Sequence, residues 1–293
     1  MKKTMGINTY PLLRLFSSAV VKEWATQGKS PLAQELFRES NAPKFPERTT
    51  VRRFYDSVFE LLMKKDAQRE YLFKSVIVSQ LWRGEHSTNS LLIPEFRVGE
   101  CRADMVIFNG TSTAYEIKTE RDNFYRLENQ LKEYGKVFDK IFLVTTRKIY
   151  ENVSASLPVH IGVMIFDESQ KSLIRERSAM SNKVFTSSSA IFDCLKKSEY
   201  SEILQKKLKI SLEDVPPVFH WKIAKDYFER ISSKDAHDEM VKVVKKRKNN
   251  KRLSVFLENM PQGLFSRLLS MPLSIREMNS LTEVMSKKIR DLI

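Results

Sequence analysis

Residues 94–134 read PEFRVGECRADMVIFNGTSTAYEIKTERDNFYRLENQLKEY, and this stretch decides the fold. It contains apolar runs of strand length, and Asn109–Gly110 between two of them is a signal for a tight hairpin turn. A longer segment with helical spacing of its apolar residues follows. The pattern predicts strands at 95–98, 102–108 and 112–118, and a helix at about 121–138.

The elements on either side of this stretch predict a mixed α/β fold. A helix is predicted at about 66–82, before the hairpin. Strands are predicted at 140–146 and 160–167, after it, with a short helix or turn between them. The order helix, three strands, helix, strand, helix, strand predicts a mixed central sheet flanked by helices. Strand signals fade after about residue 170.

Helical patterns dominate both flanks of this predicted core. Before the core they lie at 11–26, 31–39 and about 50–64. After the core they lie at 189–197, 200–209, 219–232, 253–258, 261–269 and 274–290. We therefore expect an N-terminal helical region at 1–65, a core at 66–170, and a basic, mostly helical C-terminal region at 171–293.

The composition is that of a folded protein with a real core. The chain has 293 residues, is 42% apolar and contains only 8 glycines, which excludes a disordered protein. Two cysteines, Cys101 and Cys194, exclude a disulfide framework, and four histidines without Cys-x-x-Cys leave no structural zinc pattern. No apolar window reaches about 18 residues, so we expect a cytoplasmic protein that does not span a membrane.

The net charge of +14 is unevenly distributed. It is +6 over residues 1–65, −2 over 66–170 and +10 over 171–293. Basic flanks attract phosphates and release their counterions, which indicates a nucleic acid as partner; a protein that is merely rich in lysine is the alternative. The basic run KVVKKRKNNKR at 242–252 fits either phosphate contact or a solvated helix face.

Asp104, Glu116 and Lys118 carry the predicted chemistry. Because side chains alternate along a strand, Glu116 and Lys118 point to one face, and Asp104 can meet Glu116 across the hairpin. Two adjacent carboxylates repel each other unless a cation neutralises them. Such oxygen ligands, with waters and one main-chain carbonyl, suit Mg²⁺ or Mn²⁺, which polarises a phosphoryl oxygen. The alternative is a solvated surface pair of Glu116 and Lys118.

These residues resemble the signature of the PD-(D/E)xK nuclease superfamily, with Ala103–Asp104 in place of the proline–aspartate pair and Glu116-x-Lys118 as the second block. Over about residues 70–146 the chain is similar to a group of bacterial and phage proteins with RAD, YEIK and RL-x-x-Q-x-x-x-Y blocks. The resemblance implies a restriction-endonuclease-like core with helical N- and C-terminal additions.

The resemblance also implies ligands for the metal ion. Asp104 and Glu116 would be metal ligands, the main-chain carbonyl would come from Ile117, and Lys118 would be the catalytic lysine. Glu95 is a further candidate ligand, although a strand-end charge answering a nearby arginine is an equally good interpretation. Weaker candidates for an extra carboxylate are Glu70 and Glu85.

A second set of residues is predicted to contact the substrate. Gln130 and Tyr134 are similar to the Gln-x-x-x-Tyr pair on the second core helix of RecB-like nucleases. Asp122, Arg126, Gln130 and Tyr134 are four residues apart, so they would form one ridge of a helix. On that ridge Arg126 would bind phosphate, and Gln130 and Tyr134 would position it or stack a base. Arg102 completes the predicted substrate-binding set.

We therefore expect a nuclease that depends on Mg²⁺ or Mn²⁺ and hydrolyses phosphodiester bonds, in DNA rather than RNA. Its oligomeric state stays open, with a homodimer among the options. One alternative is an inactive nucleic-acid-binding or regulatory protein on the same scaffold. Another is an α/β interaction protein in which the motif occurs by chance.

Overall fold

The computed structural model describes residues 6–64, 69–84, 90–119, 122, 124–167, 169–170, 172–213, 215–247 and 250–291. The chain forms two compact units. Unit 1 combines Met1–Leu81 with Lys251–Ile293, and unit 2 is Trp82–Asn250. These bounds differ from the three predicted regions, because the last segment of the chain packs with the first.

Helices occupy both ends of the chain, and strands lie in its middle. The helices are α1 (Thr9–Arg14), α2 (Ser18–Gln27), α3 (Pro31–Glu39), α4 (Val51–Lys64), α5 (Arg69–Gly84), α6 (Leu127–Gly135), α7 (Arg147–Val153), α8 (Ser188–Asp193), α9 (Lys197–Leu208), α10 (His220–Phe228), α11 (Ser233–Lys245), α12 (Asn250–Glu258), α13 (Phe265–Ser270) and α14 (Ile275–Ser286). The strands are β1 (Leu91–Val98), β2 (Cys101–Phe108), β3 (Ser112–Ile117), β4 (Lys140–Thr145), β5 (Gly162–Asp167) and β6 (Ser172–Arg177). Within the described ranges, no helix is both long enough and apolar enough to cross a bilayer.

Unit 2 is built on one six-stranded sheet whose strands lie side by side in chain order. The pairs β1–β2, β2–β3 and β5–β6 are antiparallel, and the pairs β3–β4 and β4–β5 are parallel. Strands β3, β4 and β5 are buried along almost their whole length, as expected for strands covered on both faces. The predicted mixed sheet flanked by helices is confirmed.

One apolar core joins the sheet of unit 2 to its helices. The rings of Phe96 and Phe138 meet edge to face with centroids 5.5 Å apart, and Phe192 of α8 contacts Phe228 of α10 at 5.5 Å. Buried side chains of α6, α9 and α11 belong to the same cluster. Burial of rings of this size contributes roughly 2–3 kcal/mol each, so this core fixes α6 on the sheet.

Two predictions about unit 2 are wrong. Strand β6 forms where the strand signal was expected to fade, because it is an edge strand with an exposed, charged sequence, SLIRER. The helix predicted at 121–138 is shorter, because a 3₁₀ turn at Phe124–Arg126 precedes α6. Ahead of that turn, Asp122 accepts hydrogen bonds from the backbone N–H and the hydroxyl of Thr119 at 2.7 and 2.8 Å. These local hydrogen bonds compete with the backbone hydrogen bonds of a helix.

Unit 1 is helical. The helix predicted at 11–26 is two helices, α1 and α2, because the hydroxyl of Ser17 caps the backbone N–H of Val20 at 3.4 Å and starts a new helix. The predictions for α3 and α4 are confirmed. Trp24 Nε1 donates to the hydroxyl of Tyr55 at 3.0 Å in the core between α2 and α4.

In unit 1 the backbone of residues 49–51 pairs with that of residues 287–289, near the end of the chain. The N–H of Val51 donates to the carbonyl of Lys287 at 2.9 Å, and the N–H of Ile289 donates to the carbonyl of Thr49 at 2.8 Å. Such paired backbone groups require both segments to be in place at once. Residues 251–293 are therefore an integral part of this unit.

Gly162, at the start of β5, leaves no room for a side chain. A Cβ atom there would lie 2.5 Å from Cδ1 of Phe142 and 2.7 Å from the backbone nitrogen of Ala179. We expect Gly162→Ala to lower the free energy of unfolding by about 1–3 kcal/mol, as overpacking does, measured by urea denaturation. The control is Gly135→Ala in α6, where the nearest atom lies at 3.8 Å; it should be neutral or stabilising by up to about 1 kcal/mol. Equal loss in both variants would contradict this.

Candidate active site

The candidate active site lies where β2, β3 and α6 meet. Val106 pairs with Ala114 in the antiparallel register, and the same register continued by two residues sets Asp104 opposite Glu116 on one face. The backbone N–H of Ile117 donates to Asp104 Oδ2 at 2.8 Å. The hairpin therefore brings the two carboxylates together.

Glu116 is the centre of the site. Its side chain is only 3% exposed, and Lys118 Nζ lies 2.9 Å from Oε1. Gln130 Nε2 donates to the same oxygen at 2.7 Å, and the hydroxyl of Tyr134 contacts Oε2 at 2.8 Å. Three groups, one from the residue directly after β3 and two from α6, thus enclose one buried carboxyl group, and a buried charge requires such partners.

Strand β4 holds the backbone of Lys118. The N–H of Lys118 donates to the carbonyl of Val144 at 2.9 Å, and the hydroxyl of Thr145 donates to the carbonyl of Lys118 at 2.9 Å. The sequence analysis did not single out Thr145. The only signal for Thr145 in the sequence was its position at the end of a predicted strand. The structure shows that this strand, β4, is parallel to β3 and adjacent to it.

The charge state of Glu116 is set by its surroundings. The pKa of this carboxyl is raised to about 7, first because burial disfavours the ionised form and then because of the neighbouring charge of Asp104. The ammonium of Lys118 and the hydroxyl of Tyr134 act against this rise. Burial, followed by the negative charge of Glu116, raises the pKa of Tyr134. Glu116 therefore exchanges its proton near neutral pH, while Tyr134 stays protonated.

The hydroxyl of Tyr134 has two oxygen neighbours but only one proton. It lies 2.8 Å from the carbonyl oxygen of Arg102 and 2.8 Å from Glu116 Oε2. A carbonyl oxygen can only accept. A protonated Glu116 satisfies both contacts, since it can donate to Tyr134 while Tyr134 donates to Arg102. The hydrogen-bond geometry thus agrees with the raised pKa of Glu116.

Gln130 carries an unsatisfied acceptor at the site. Its Nε2 donates to Glu116, and Tyr134 lies 3.5 Å from the same nitrogen. In the described part of the chain, Gln130 Oε1 is buried and has no hydrogen-bond partner. A buried acceptor left unpaired costs about 1–3 kcal/mol. A donor that reaches this oxygen would recover that free energy.

The predicted extra carboxylates are less well placed. Glu95 adopts a φ of 50° inside β1, and its Oε2 lies 3.9 Å from Nη1 of Arg102, with both side chains more than half exposed. This contact fits the interpretation of Glu95 as a residue that forms an ion pair with an arginine at the end of a strand. The side chain of Glu70 and all of Glu85 lie outside the described residues.

The predicted ridge of four polar residues is interrupted. Only Gln130 and Tyr134 lie within α6, because the helix begins at Leu127. Arg126 is exposed, and its guanidinium lies over the ring of Tyr125, 5.1 Å from the centroid. Tyr134 is fully buried, so it acts on Glu116 instead of presenting its ring to a base.

The residues of the site fit a divalent cation. Among the described side chains, no group of three or more His, Cys, Asp and Glu is arranged to hold a metal ion. However, Mg²⁺ is commonly bound through one or two carboxylates and keeps several waters, and Asp104 and Glu116 provide two. The raised pKa of Glu116, caused by burial and then by Asp104, reflects a repulsion that a cation would relieve.

Comparison with known proteins assigns a family to the chain. A family model described as bacteriophage P4 protein cII matches residues 63–289. The chain belongs to this family. Protein cII of Enterobacteria phage P4 is 28% identical over 169 residues, which cover 57% of this chain and 61% of that protein. The chain thus matches about three fifths of the length of this relative.

The match to the cII family includes the whole candidate site, since that site lies between residues 94 and 134. Among solved structures, a protein of unknown function from Silicibacter pomeroyi aligns with 37% of this chain and 70% of its own. Its sequence identity is 18% and its TM-score is 0.30.

The stability of this cII-family protein should depend on pH through Glu116. The folded-state pKa lies above the unfolded value of 4.5, so the folded state binds more protons between about pH 4.5 and pH 7. The free energy of unfolding should therefore be highest below that window and fall as pH rises, by on the order of 3 kcal/mol. Glu116→Gln should remove this slope, measured by urea denaturation from pH 4.5 to pH 8.

The matched control is Glu100→Gln. Glu100 is a glutamate of the turn between β1 and β2 with a side chain that is 94% exposed. This variant should keep the slope of the parent protein. An unchanged slope in Glu116→Gln would contradict the assignment of the raised pKa to Glu116.

Proposed function

We propose that this protein is a nuclease that uses a divalent metal ion to hydrolyse phosphodiester bonds, in DNA rather than RNA, on a restriction-endonuclease-like core. The observation that carries the proposal is the buried carboxylate of Glu116, held by Lys118, Gln130 and Tyr134 beside Asp104. The chain order of helix α5, strands β1–β3, helix α6 and strand β4 supports the proposal, because it is the order that the sequence resemblance implies.

The proposed metal ion is Mg²⁺ or Mn²⁺. Asp104 and Glu116 would hold it, with the carbonyl of Ile117 as a main-chain ligand. When bound, it would supply Lewis-acid polarisation of a phosphoryl oxygen. The side chains of the protein would provide the remaining functions, which are charge stabilisation, positioning and phosphate binding.

Lys118 is proposed to be a catalytic residue. Its ammonium lies 2.9 Å from Glu116 Oε1, and its side chain is only 10% exposed, so the positive charge is held in a largely buried position. Such a preorganised charge offsets negative charge that develops on a phosphoryl group. Because it also opposes the rise in the pKa of Glu116, it helps to keep that carboxylate ionised.

Gln130 and Tyr134 are proposed to be positioning residues, because both act through Glu116. Gln130 donates to one oxygen of the carboxyl group and the hydroxyl of Tyr134 contacts the other, so together they fix its orientation. Arg102 and Arg126 remain the proposed phosphate contacts. Both present exposed side chains, which suits contact with a charged backbone.

An inactive nucleic-acid-binding protein is the second candidate function. The observation that favours it is the ion pair of Lys118 with Glu116, which neutralises the carboxylate without a metal. The net charge of +14 suits a polyanion under either proposal.

Cleavage is the direct test of the first proposal. With Mg²⁺ or Mn²⁺ the purified protein should cut at least one of supercoiled plasmid, linear duplex, single-stranded circle and structured RNA, and chelation should stop it. Asp104→Ala, Glu116→Gln and Lys118→Ala should each lower the rate by about 10²-fold or more. Glu100→Gln should retain the parental rate, and circular dichroism should show that every variant is folded.

The two candidate functions give different results in this assay. Absence of cleavage on all four substrates, with the protein folded, would contradict the nuclease proposal. Nucleic-acid binding that is then equal in the parent and Lys118→Ala would support the second candidate.

Metal binding can be measured without activity. Mn²⁺ at ten times its Kd should stabilise the parent protein by about 1.4 kcal/mol, seen as a higher Tm in differential scanning fluorimetry. Asp104→Ala should lose this shift and Glu100→Gln should keep it. An equal shift in all three proteins would place the ion elsewhere.

A further inference from the structure

Unit 1 contains an aromatic pocket of about 650 Å³ among its described residues. Phe37, Phe45 and Phe54 form one side of it, with ring centroids 5.1–5.8 Å apart. Phe54 is fully buried, while Phe37 and Phe45 are partly exposed. The pocket therefore offers a rigid aromatic surface, which suits a flat ring.

The rim of this pocket is basic. Arg38 and Lys44 line it and are exposed, and neither makes an ion pair with any other described residue. Arg290 also lines it and is paired with Glu47 at 2.7 Å. Three cations against one carboxylate favour an anionic ligand. Unit 1 as a whole carries 21 basic and 12 acidic side chains, which strengthens that preference.

The amide side chain of Asn41 also lines the pocket. An amide offers both a donor and an acceptor, the combination that pairs with the edge of a nucleobase. Asn41 adopts a φ of 51°, a left-handed conformation that costs an ordinary residue about 1–2 kcal/mol and that Asn tolerates better than most residues other than Gly. The loop after α3 is thus fixed in a conformation that places an amide at the pocket.

We propose that this pocket binds a nucleotide. The ring would lie against Phe37 and Phe45, the phosphates would meet Arg38 and Lys44, and the amide of Asn41 would contact the edge of the base. The volume lies in the range of about 300–1,000 Å³ that is typical of small-ligand sites. The nucleotide is either free or the terminal residue of a strand, since both present the same chemistry. This site is independent of the proposed nuclease site.

Isothermal titration of the full chain in buffer with a chelator tests the proposal, because metal-dependent binding and cleavage are then suppressed. The probes are ATP, adenosine, inorganic triphosphate and a 5′-phosphorylated single-stranded dodecamer. ATP or the dodecamer should bind at least about tenfold more tightly than adenosine and inorganic triphosphate, because neither of these fills both the ring and the phosphate positions. Binding of ATP assigns the free nucleotide, and binding of the dodecamer alone assigns a strand end.

Variants assign the binding to this pocket. Arg38→Ser with Lys44→Ser should weaken the bound probe by about tenfold or more. Phe45→Leu, which keeps an apolar side chain but removes the ring, should weaken it by about fivefold or more. The matched control, Lys29→Ser with Arg53→Ser, changes the charge of unit 1 equally at exposed positions outside the pocket and should bind as the parent does.

The double variant Arg38→Ser with Lys44→Ser keeps the test valid even if Phe45→Leu folds poorly, because Arg38 and Lys44 are exposed. Three results would overturn the proposal: no binding of ATP or the dodecamer, equal affinity for inorganic triphosphate, or the same loss in the control double variant. Failure here leaves the nuclease proposal untouched, since that rests on cleavage and on Asp104, Glu116 and Lys118.

Discussion

A carboxylate removed from water is costly, and the site depends on how the cost of burying Glu116 is offset. Lys118, directly after β3, provides charge, Gln130 on α6 provides a donor, and Tyr134 on α6 provides a hydroxyl contact. Neither helix nor strand could do this alone, because a buried ion needs its remaining lone pairs satisfied from several directions. The contacts of the apolar core, which fix α6 on the sheet, therefore help to build the site: a shift of α6 by one residue would leave Glu116 buried without Gln130 and Tyr134, with Lys118 as its remaining partner.

The central elements could be predicted because their signals are local. Alternation along β2 and β3, with Asn-Gly between them, specifies a hairpin, and a spacing of two residues places Glu116 and Lys118 on one face. The edge strand β6 carries no such signal, since an edge needs no apolar pattern to join a sheet. The break between α1 and α2 depends on one capping hydroxyl, Ser17, inside a pattern that reads as a single helix.

The site was predictable only in part, for a physical reason. Helical spacing places Gln130 and Tyr134 on one ridge, but it does not say whether that ridge faces a carboxylate or the solvent. Tyr134 was expected to position phosphate or stack a base, whereas in the structure it is buried against Glu116 and the backbone of β2. The contribution of Thr145 depends on β4 pairing in parallel with β3, a long-range fact that no window of sequence contains.

Unit 1 is made of two separate segments of the chain, so it can be completed only late in synthesis. A ribosome releases the chain from its N-terminus, at about 5–20 residues per second, so unit 2 leaves the exit tunnel complete while unit 1 still lacks residues 251–293. Backbone groups of Thr49 and Val51 that later pair with that segment stay exposed for several seconds. During this interval the helical unit cannot complete its backbone pairing, whereas the sheet with Glu116 can already assemble.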